Sequence, residues 1–459
     1  MPKKQSWKSH LAFYLLAIGS ACGLGNLWRF PYVVGENGGG AFLLLYVLLS
    51  FTIGITLLIS ELMIGFFTKH GVLTVSRRVS QQYKKPIFIF GWLSLLITAG
   101  TLAYYSVISG WVLHYLTQFI ISLFSGTEVV FLSNLTNVSV LIQNGWLQFL
   151  LASVHLLFTV IIVLKGFEVG VERWISSLLP VFGLLVFILL IRALSLDSSY
   201  QVIRFLFYPD FSKLSWASLG HALGHVFFTL SLGFGAMVTF GSYFSDGEKL
   251  PYAGLKVTII NTIISVIAVL LIFPIAFTHS TQPLTDPSLL FEVLPKFLIS
   301  YKGGAFFGVL FFLCLWLAAL NASVGLLETL AANIQEKKTN LTRKKAVEYA
   351  GLGLLIITIF PAFSGTIFRN IKILGRNLIE FFDLFLINWL LPIACLGMVL
   401  IAVLGITRLD RRKLFIDPQD ITSETMYSHW EFILKWVTPV VIIIGLLLQV
   451  IGIVLTKHI

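Results

Sequence analysis

Apolar residues recur along this chain in long, nearly uninterrupted runs separated by short polar segments, rather than at the alternating or three-to-four spacing of half-buried strands and helices. Runs of that length match a helix crossing the hydrocarbon of a bilayer. They predict eleven spanning helices, at residues 10–33, 41–67, 86–124, 147–164, 174–194, 216–244, 254–279, 303–334, 346–363, 378–405 and 433–456. A polar head, residues 1–9, precedes the first. The opening basic and apolar stretch has the outline of a signal peptide, yet its apolar run continues past any cleavage site into Gly23–Arg29, so it is read as a retained span.

Two of the runs are interrupted. "GSACGLGNLWRFPYVVGENGGG" (Gly19–Gly40) carries seven glycines, two asparagines and an arginine, and "TLSLGFGA" (Thr229–Ala236) carries Gly233 and Gly235 inside the sixth run. The sixth run starts about 206 residues after the first, and its break falls about 210 residues after the first break. Five spans per unit is an odd number, so the second unit must enter the membrane upside down relative to the first. The pattern predicts two inverted five-helix repeats, residues 10–194 and 216–405, with 433–456 as an additional span. A broken helix leaves carbonyls and amides unpaired in hydrocarbon at several kcal/mol each unless an ion or solute satisfies them. Glycines also serve close helix packing. A matched pair of breaks points instead to a binding site at the bilayer midplane.

Composition and charge sharpen the topology. Of 459 residues 57% are hydrophobic and 12% charged, with a formal net charge of +11. If the amino terminus is cytoplasmic, twenty of the Lys and Arg residues outside the spans lie on the inner side and eight on the outer. This bias orients the chain, puts the carboxy terminus outside, and assigns the excess charge to anionic lipid rather than nucleic acid. Cys22, Cys314 and Cys395 each sit in an apolar run and read as packing residues. No nucleophile and base pair stands out, so an enzyme is disfavoured. His221 and His225 are one helical turn apart, a spacing compatible with zinc, but no third ligand is recognisable in the sequence.

"GLGNLWRFP", "ENGGGAF", "AYYSVISGW" (Ala103–Trp111) and "FFTLSLGFGA", together with the eleven-span layout, resemble the neurotransmitter:sodium symporter family in its bacterial amino-acid branch. The resemblance covers spans 1 to 10 almost completely, and a twelfth span found in many members is absent. It implies an all-α polytopic protein with the LeuT fold and broken helices 1 and 6. It further implies sodium-coupled, alternating-access uptake of a neutral, hydrophobic L-amino acid across the plasma (inner) membrane, by a monomer or weak homodimer. A proton-coupled or uncoupled carrier on the same fold, and a non-transporting receptor, are the alternatives.

The resemblance also implies site residues. A first sodium site takes the Ala21 carbonyl with Asn26, Thr229 and Asn261, and touches the substrate carboxylate. A second takes carbonyls of Gly19, Cys22 and Ala318 with side chains at Asn321 and Ala322. Ala322 has no oxygen to give, and Ser323 next to it is turned about 100° around the helix. The substrate pocket is expected from Ser20, Ala21, Gly23, Gly25, Thr101, Tyr105, Phe228, Thr229, Ser231, Phe234, Ala322 and Leu326. Relatives that carry amines place an aspartate where Gly23 stands, so here the substrate must bring its own carboxylate. Tyr105 is placed to hydrogen-bond it.

Chloride-independent relatives carry a glutamate where this chain has Ser265, so a chloride ion is expected at Tyr46, His225, Thr229, Asn261 and Ser265. His225 stands where relatives have glutamine. Its protonation would strengthen anion binding and oppose the nearby sodium, an expectation of pH-sensitive exchange between the two. Arg29 and Asp383 align with the outer gate; Trp7, Ser242, Tyr243, Lys4 and Glu336 align with the inner one. Glu61, an acid inside the second run, is expected to accept backbone N–H groups of the broken sixth helix.

Overall fold

A computed structural model describes residues 23–125, 138–166, 173–244, 249–279, 289–299, 303–338, 340–417 and 422–456. A π-helical turn, Gly25–Arg29, leads into α1 (Phe30–Glu36). There follow α2 (Gly40–Thr68), α3 (Val72–Tyr83), α4 (Phe88–Ser125), α5 (Gly145–Leu164) and α6 (Arg173–Leu194). The predicted sixth span is two pieces, α7 (Ser218–Thr229) and α8 (Ala236–Ser242). After it come α9 (Leu250–His279), α10 (Gly304–Lys337), α11 (Arg343–Ala362), α12 (Leu378–Gly405) and α13 (Ser423–Gly452). Among the described residues eight helices are long and apolar enough to cross a membrane, or nine if Pro180–Leu194 and Ser199–Phe207, bent by 104°, form one span. The described residues contain no strand, only one isolated bridge between Ile373 and Arg376.

Small residues decide where the helices touch. A Cβ at Gly65 of α2 would strike the Val238 carbonyl, and one at Gly241 of α8 would strike the Leu62 carbonyl, so these two helices meet backbone to backbone. In lipid, where hydrophobic burial gives little drive between helices, such close van der Waals packing holds them together. This crossing brings Glu61 of α2 beneath the break between α7 and α8. Gly110 does the same for α4 and α5, with its would-be Cβ 3.0 Å from the Ala152 nitrogen. Outward-facing side chains such as Leu150, Leu184, Phe187 and Leu447 are apolar and exposed, as a lipid-facing surface requires. Buried polar groups, among them Asn26, Glu61, His225, Asn261, Asn321 and Glu328, belong to helices around the broken elements.

The last helix departs from the hydropathy reading. It begins at Ser423, ten residues before the predicted start at 433, and Arg408–Phe415 forms a further short helix in the loop before it. Its early turns are polar and escape an apolar-run search. Glu431 there binds Arg411 at 3.0 Å, Arg408 at 3.1 Å and Lys435 at 2.7 Å. Arg411 is itself buried and donates to the carbonyls of Ala402, Val403 and Ile406, closing the carboxy end of α12.

The Gly241 contact yields a test. Gly241→Val should force α2 and α8 apart and cost about 1–3 kcal/mol, the usual range for overpacking. A lowered thermal midpoint of the purified protein checks it, and an unchanged midpoint would show that the crossing adapts.

Candidate functional site

Between α7 and α8 the backbone runs through Ser231 (φ 53°), Gly233 (φ 77°) and Gly235 (φ 76°). Two of these left-handed positions are glycine, which meets no Cβ clash there, whereas Ser231 carries strain of roughly 1–2 kcal/mol. Groups freed by the break find side-chain partners. The Gly233 N–H donates to Glu61 Oε1 at 2.7 Å, and Thr98 Oγ1 donates to the Phe234 carbonyl at 2.9 Å. Of the glycines expected to break the first span, Gly19 falls outside the described residues.

Facing this break is a small cavity. Gly23 and Gly25 from the first span, Tyr105 from α4, Phe228, Thr229, Ser231 and Phe234 from the broken span, and Ala322 and Leu326 from α10 line it. Its free volume is about 20 Å³, roughly one water molecule. A Cβ on Gly23 would lie 2.5 Å from the Tyr105 hydroxyl and 2.8 Å from Ala322 Cβ, and one on Gly25 would lie 2.6 Å from the Phe228 ring. Tyr105 Oη accepts the Leu24 N–H at 2.7 Å, which leaves its own proton for a further acceptor. Thr101 is buried with no hydroxyl partner among the described residues. Ser20 and Ala21 lie outside the described residues, and among the described residues the lining contains no carboxylate.

Beside the pocket runs a chain of polar side chains. Asn26 Nδ2 donates to Asn261 Oδ1 at 2.9 Å, and Asn261 Nδ2 donates to Tyr46 Oη at 3.1 Å and Thr229 Oγ1 at 3.3 Å. Tyr46 and Ser265 share a hydroxyl contact of 2.9 Å, and Ser265 Oγ donates to the Asn261 carbonyl. Asn26 Oδ1 is buried and has no partner among the described residues. On α10, Ala318, Asn321 and Ala322 are buried, and Asn321 Oδ1 is likewise unpartnered there. Ser323 is 2.9 Å from His155 Nε2 of α5, so its hydroxyl is engaged at that helix contact. Gly19 and Cys22 are outside the described residues.

Above the pocket, Arg29 holds several partners at once. Its Nε donates to both oxygens of Asp383 at 3.2 and 3.3 Å, Nη2 donates to Asn388 Oδ1 at 3.0 Å, and Nη1 lies 3.2 Å from His225 Nδ1. Tyr104 and Tyr32 add hydroxyl donors to Asp383 at 3.0 and 3.4 Å. Arg29 also lies over the Phe228 ring, 5.8 Å from its centroid. Outside this knot opens a cavity of about 490 Å³, walled in part by Trp28, Trp111, Glu36, Arg376 and Glu380.

His225 stacks on Phe30 at 4.6 Å. A guanidinium can only donate, so His225 Nδ1 accepts and the ring carries its hydrogen on Nε2. That Nε2 is buried and unpartnered among the described residues. A second proton would have to displace the Arg29 contact and set two cations side by side. His221 lines the outer cavity, and no cluster of three His, Cys, Asp or Glu occurs among the described residues.

On the inner side, Ser242 Oγ donates to the Thr239 carbonyl. Tyr243 Oη donates to Glu328 Oε1 at 2.9 Å, and Glu328 holds Arg343 through 3.0 and 2.6 Å bonds. Glu336 accepts the Gly71 N–H at the start of α3 and the Thr74 hydroxyl. Trp7 and Lys4 lie outside the described residues. Sequence reading missed Glu328, Arg343, Tyr104 and Asn388. Glu328 had a signal, since an acid inside an apolar 34-residue helix needs a partner.

The model of the sodium:neurotransmitter symporter family matches residues 4–134 and 121–458. An uncharacterised sodium-dependent transporter of Bacillus subtilis is 31% identical over 456 residues, covering 98% of both chains. Another, from Haemophilus influenzae, is 33% identical over 463 residues, covering 96% of this chain and 97% of the relative. The crystal structure of MhsT in complex with L-phenylalanine superposes with a TM-score of 0.87 at 31% identity, over 97% of this chain and 99% of that one.

Glu328 is fully buried, and Arg343 is its cationic partner. Arg343→Met should therefore destabilise the protein by about 3–5 kcal/mol, the cost of stranding a buried charge, while Arg343→Met with Glu328→Met should recover most of the loss. Thermal midpoints of the three variants check this, and equal midpoints for the single and double variants would contradict it.

Proposed function

The chain belongs to the sodium:neurotransmitter symporter family and is a multi-pass membrane transporter, not an enzyme; on that premise we propose that it couples sodium to uptake of a neutral, hydrophobic L-amino acid and requires chloride. The observation that carries the reading is the pocket under Arg29. It offers the Tyr105 hydroxyl, braced on the Leu24 amide, beside apolar walls of Phe228, Phe234 and Leu326, and it lacks a side-chain acid. A zwitterion supplies the missing carboxylate, and an apolar side chain fits the rest. MhsT, with the same fold, was crystallised with L-phenylalanine.

Sodium prefers hard oxygen ligands. The buried, unpartnered Asn26 Oδ1, with Thr229 and Asn261 in hydrogen-bond reach of the same cluster, supports a first sodium there. Asn321 Oδ1 is a second such oxygen. With Ala322 silent and Ser323 engaged with His155, the second sodium rests on Asn321 and carbonyls and is the weaker of the two.

Chloride follows from charge. A sodium next to a zwitterion leaves net positive charge, and an anion about 5 Å away offsets roughly 3 kcal/mol at an effective dielectric near 20. Ser265 cannot carry that charge. Tyr46, Ser265 and the His225 Nε2–H can donate to an anion, and the unpartnered state of that N–H favours one.

Radiolabelled L-phenylalanine uptake into proteoliposomes, followed by a panel of amino acids, is the test. A sodium gradient should drive accumulation and a proton gradient alone should not. Asn26→Ala and Thr229→Ala should each raise the half-saturating sodium concentration about tenfold, equal to about 1.4 kcal/mol. Unchanged sodium dependence in both would remove the first-site assignment.

Two further outcomes are expected. Replacing chloride by gluconate should abolish uptake, and Ser265→Glu should restore it; full uptake in gluconate would refute the chloride requirement. Ala322→Ser should tighten the second sodium by about 1 kcal/mol. Sodium titration reads this, and an unaltered curve would show that Asn321 suffices.

A further inference from the structure

The outer knot sets α12 a geometric problem. Asp383 and Asn388 both reach Arg29, yet they are five residues apart. In an α-helix, five residues leave two side chains about 140° apart around the axis. Here Leu384–Leu390 is π-helical, with the Leu391 N–H returning to the Leu386 carbonyl, and five-residue spacing brings the two side chains to one face.

A π-helical stretch needs a cause, and the sequence supplies one. Pro392 stands four residues beyond Asn388 and has no N–H to return to the Asn388 carbonyl. In hydrocarbon that carbonyl must find another donor. It receives Gln449 Nε2 of α13 at 3.2 Å. Gln449 is buried although α13 turns much of its surface to lipid. On its other side the amide abuts Gly220 of α7, where a Cβ would collide with it. One turn along α7, Gly224 packs on Asn388, its would-be Cβ 2.8 Å from Oδ1, and the next residue is His225, the other partner of Arg29. Gln449 is thus wedged between the two elements that grip the guanidinium.

We propose that Gln449 is a positioning residue of the outer closure: by supplying the N–H that Pro392 lacks, it holds α12 in the register that aims Asn388 at Arg29, beside Asp383. This makes α13, the helix beyond both repeats, part of the gate. The proposal rests on reading Arg29 and Asp383 as that closure, and its readout needs no transported solute.

The test is external accessibility of the pocket. Thr101→Cys in the otherwise unchanged chain is exposed, in whole cells, to a membrane-impermeant cationic methanethiosulfonate, and modification of the peptide containing position 101 is followed by mass spectrometry. Gln449→Met should raise the modification rate fivefold or more, and Gln449→Leu, which likewise has no donor, should do the same. Gly220→Ala, which displaces the amide from the opposite side, should also raise it and stands in if a Gln449 variant fails to reach the membrane. In Asn388→Ala, where the Asn388–Arg29 contact is already gone, Gln449→Met should add nothing; a purely structural role would instead multiply the rate by the same factor in both backgrounds and overturn the proposal. An unchanged rate in Gln449→Met, or in Gly220→Ala where that variant stands in, overturns it too. Arg29→Ala serves as reference: if it labels no faster than the parent, the closure reading fails and the proposal with it, whereas a fast Arg29→Ala beside a slow Gln449→Met refutes the role of Gln449 alone.

Discussion

No backbone polar group can be left unpaired in hydrocarbon, and the rest of this structure is organised around that constraint. A site at mid-membrane needs exposed backbone, so each exposed group must be matched from another helix. Glu61 and Thr98 do this where the sixth span breaks. Arg411 does it at the end of α12, and Gln449 does it where Pro392 withholds an N–H. Each of these partners is itself polar and buried, so the cost of one irregularity is met by placing another polar group with care.

Charge is handled in the same way. Arg29 is nearly fully buried and is matched by one carboxylate and one amide oxygen from α12 and one imidazole nitrogen from α7. Breaking such a knot strands a cation in low dielectric, so closure is strong only when every element is in register. The imidazole links this knot to the polar chain below it. His225 offers its lone pair to Arg29 and its N–H toward the interior, so ring orientation on one side is set by a contact on the other.

Spans with long apolar runs were legible because bilayer thickness imposes a length that a single residue cannot hide. The sixth break was legible too, because glycine is the residue that left-handed backbone selects, and Gly233 and Gly235 announced it. Ser231 did not, since nothing about a serine signals a positive φ. The early start of α13 was hidden because its first turns are stabilised by Glu431 and three basic partners, not by apolar character. Asn388 and Gln449 are 61 residues apart and look like ordinary helix polar residues; only the tertiary contact gives them meaning. The contact of His225 Nδ1 with a guanidinium depends on a neighbour 196 positions away, which no local pattern encodes.

The smallness of the central cavity has an electrical consequence. With room for about one water, the described lining leaves little width at this level for a file of hydrogen-bonded water. Protons hop along such files, and each unit charge crossing a membrane held at 100 mV dissipates about 2.3 kcal/mol. The close approach of Gly23 to Tyr105 and of Gly25 to Phe228 therefore narrows, at this level, the path that such a file would need.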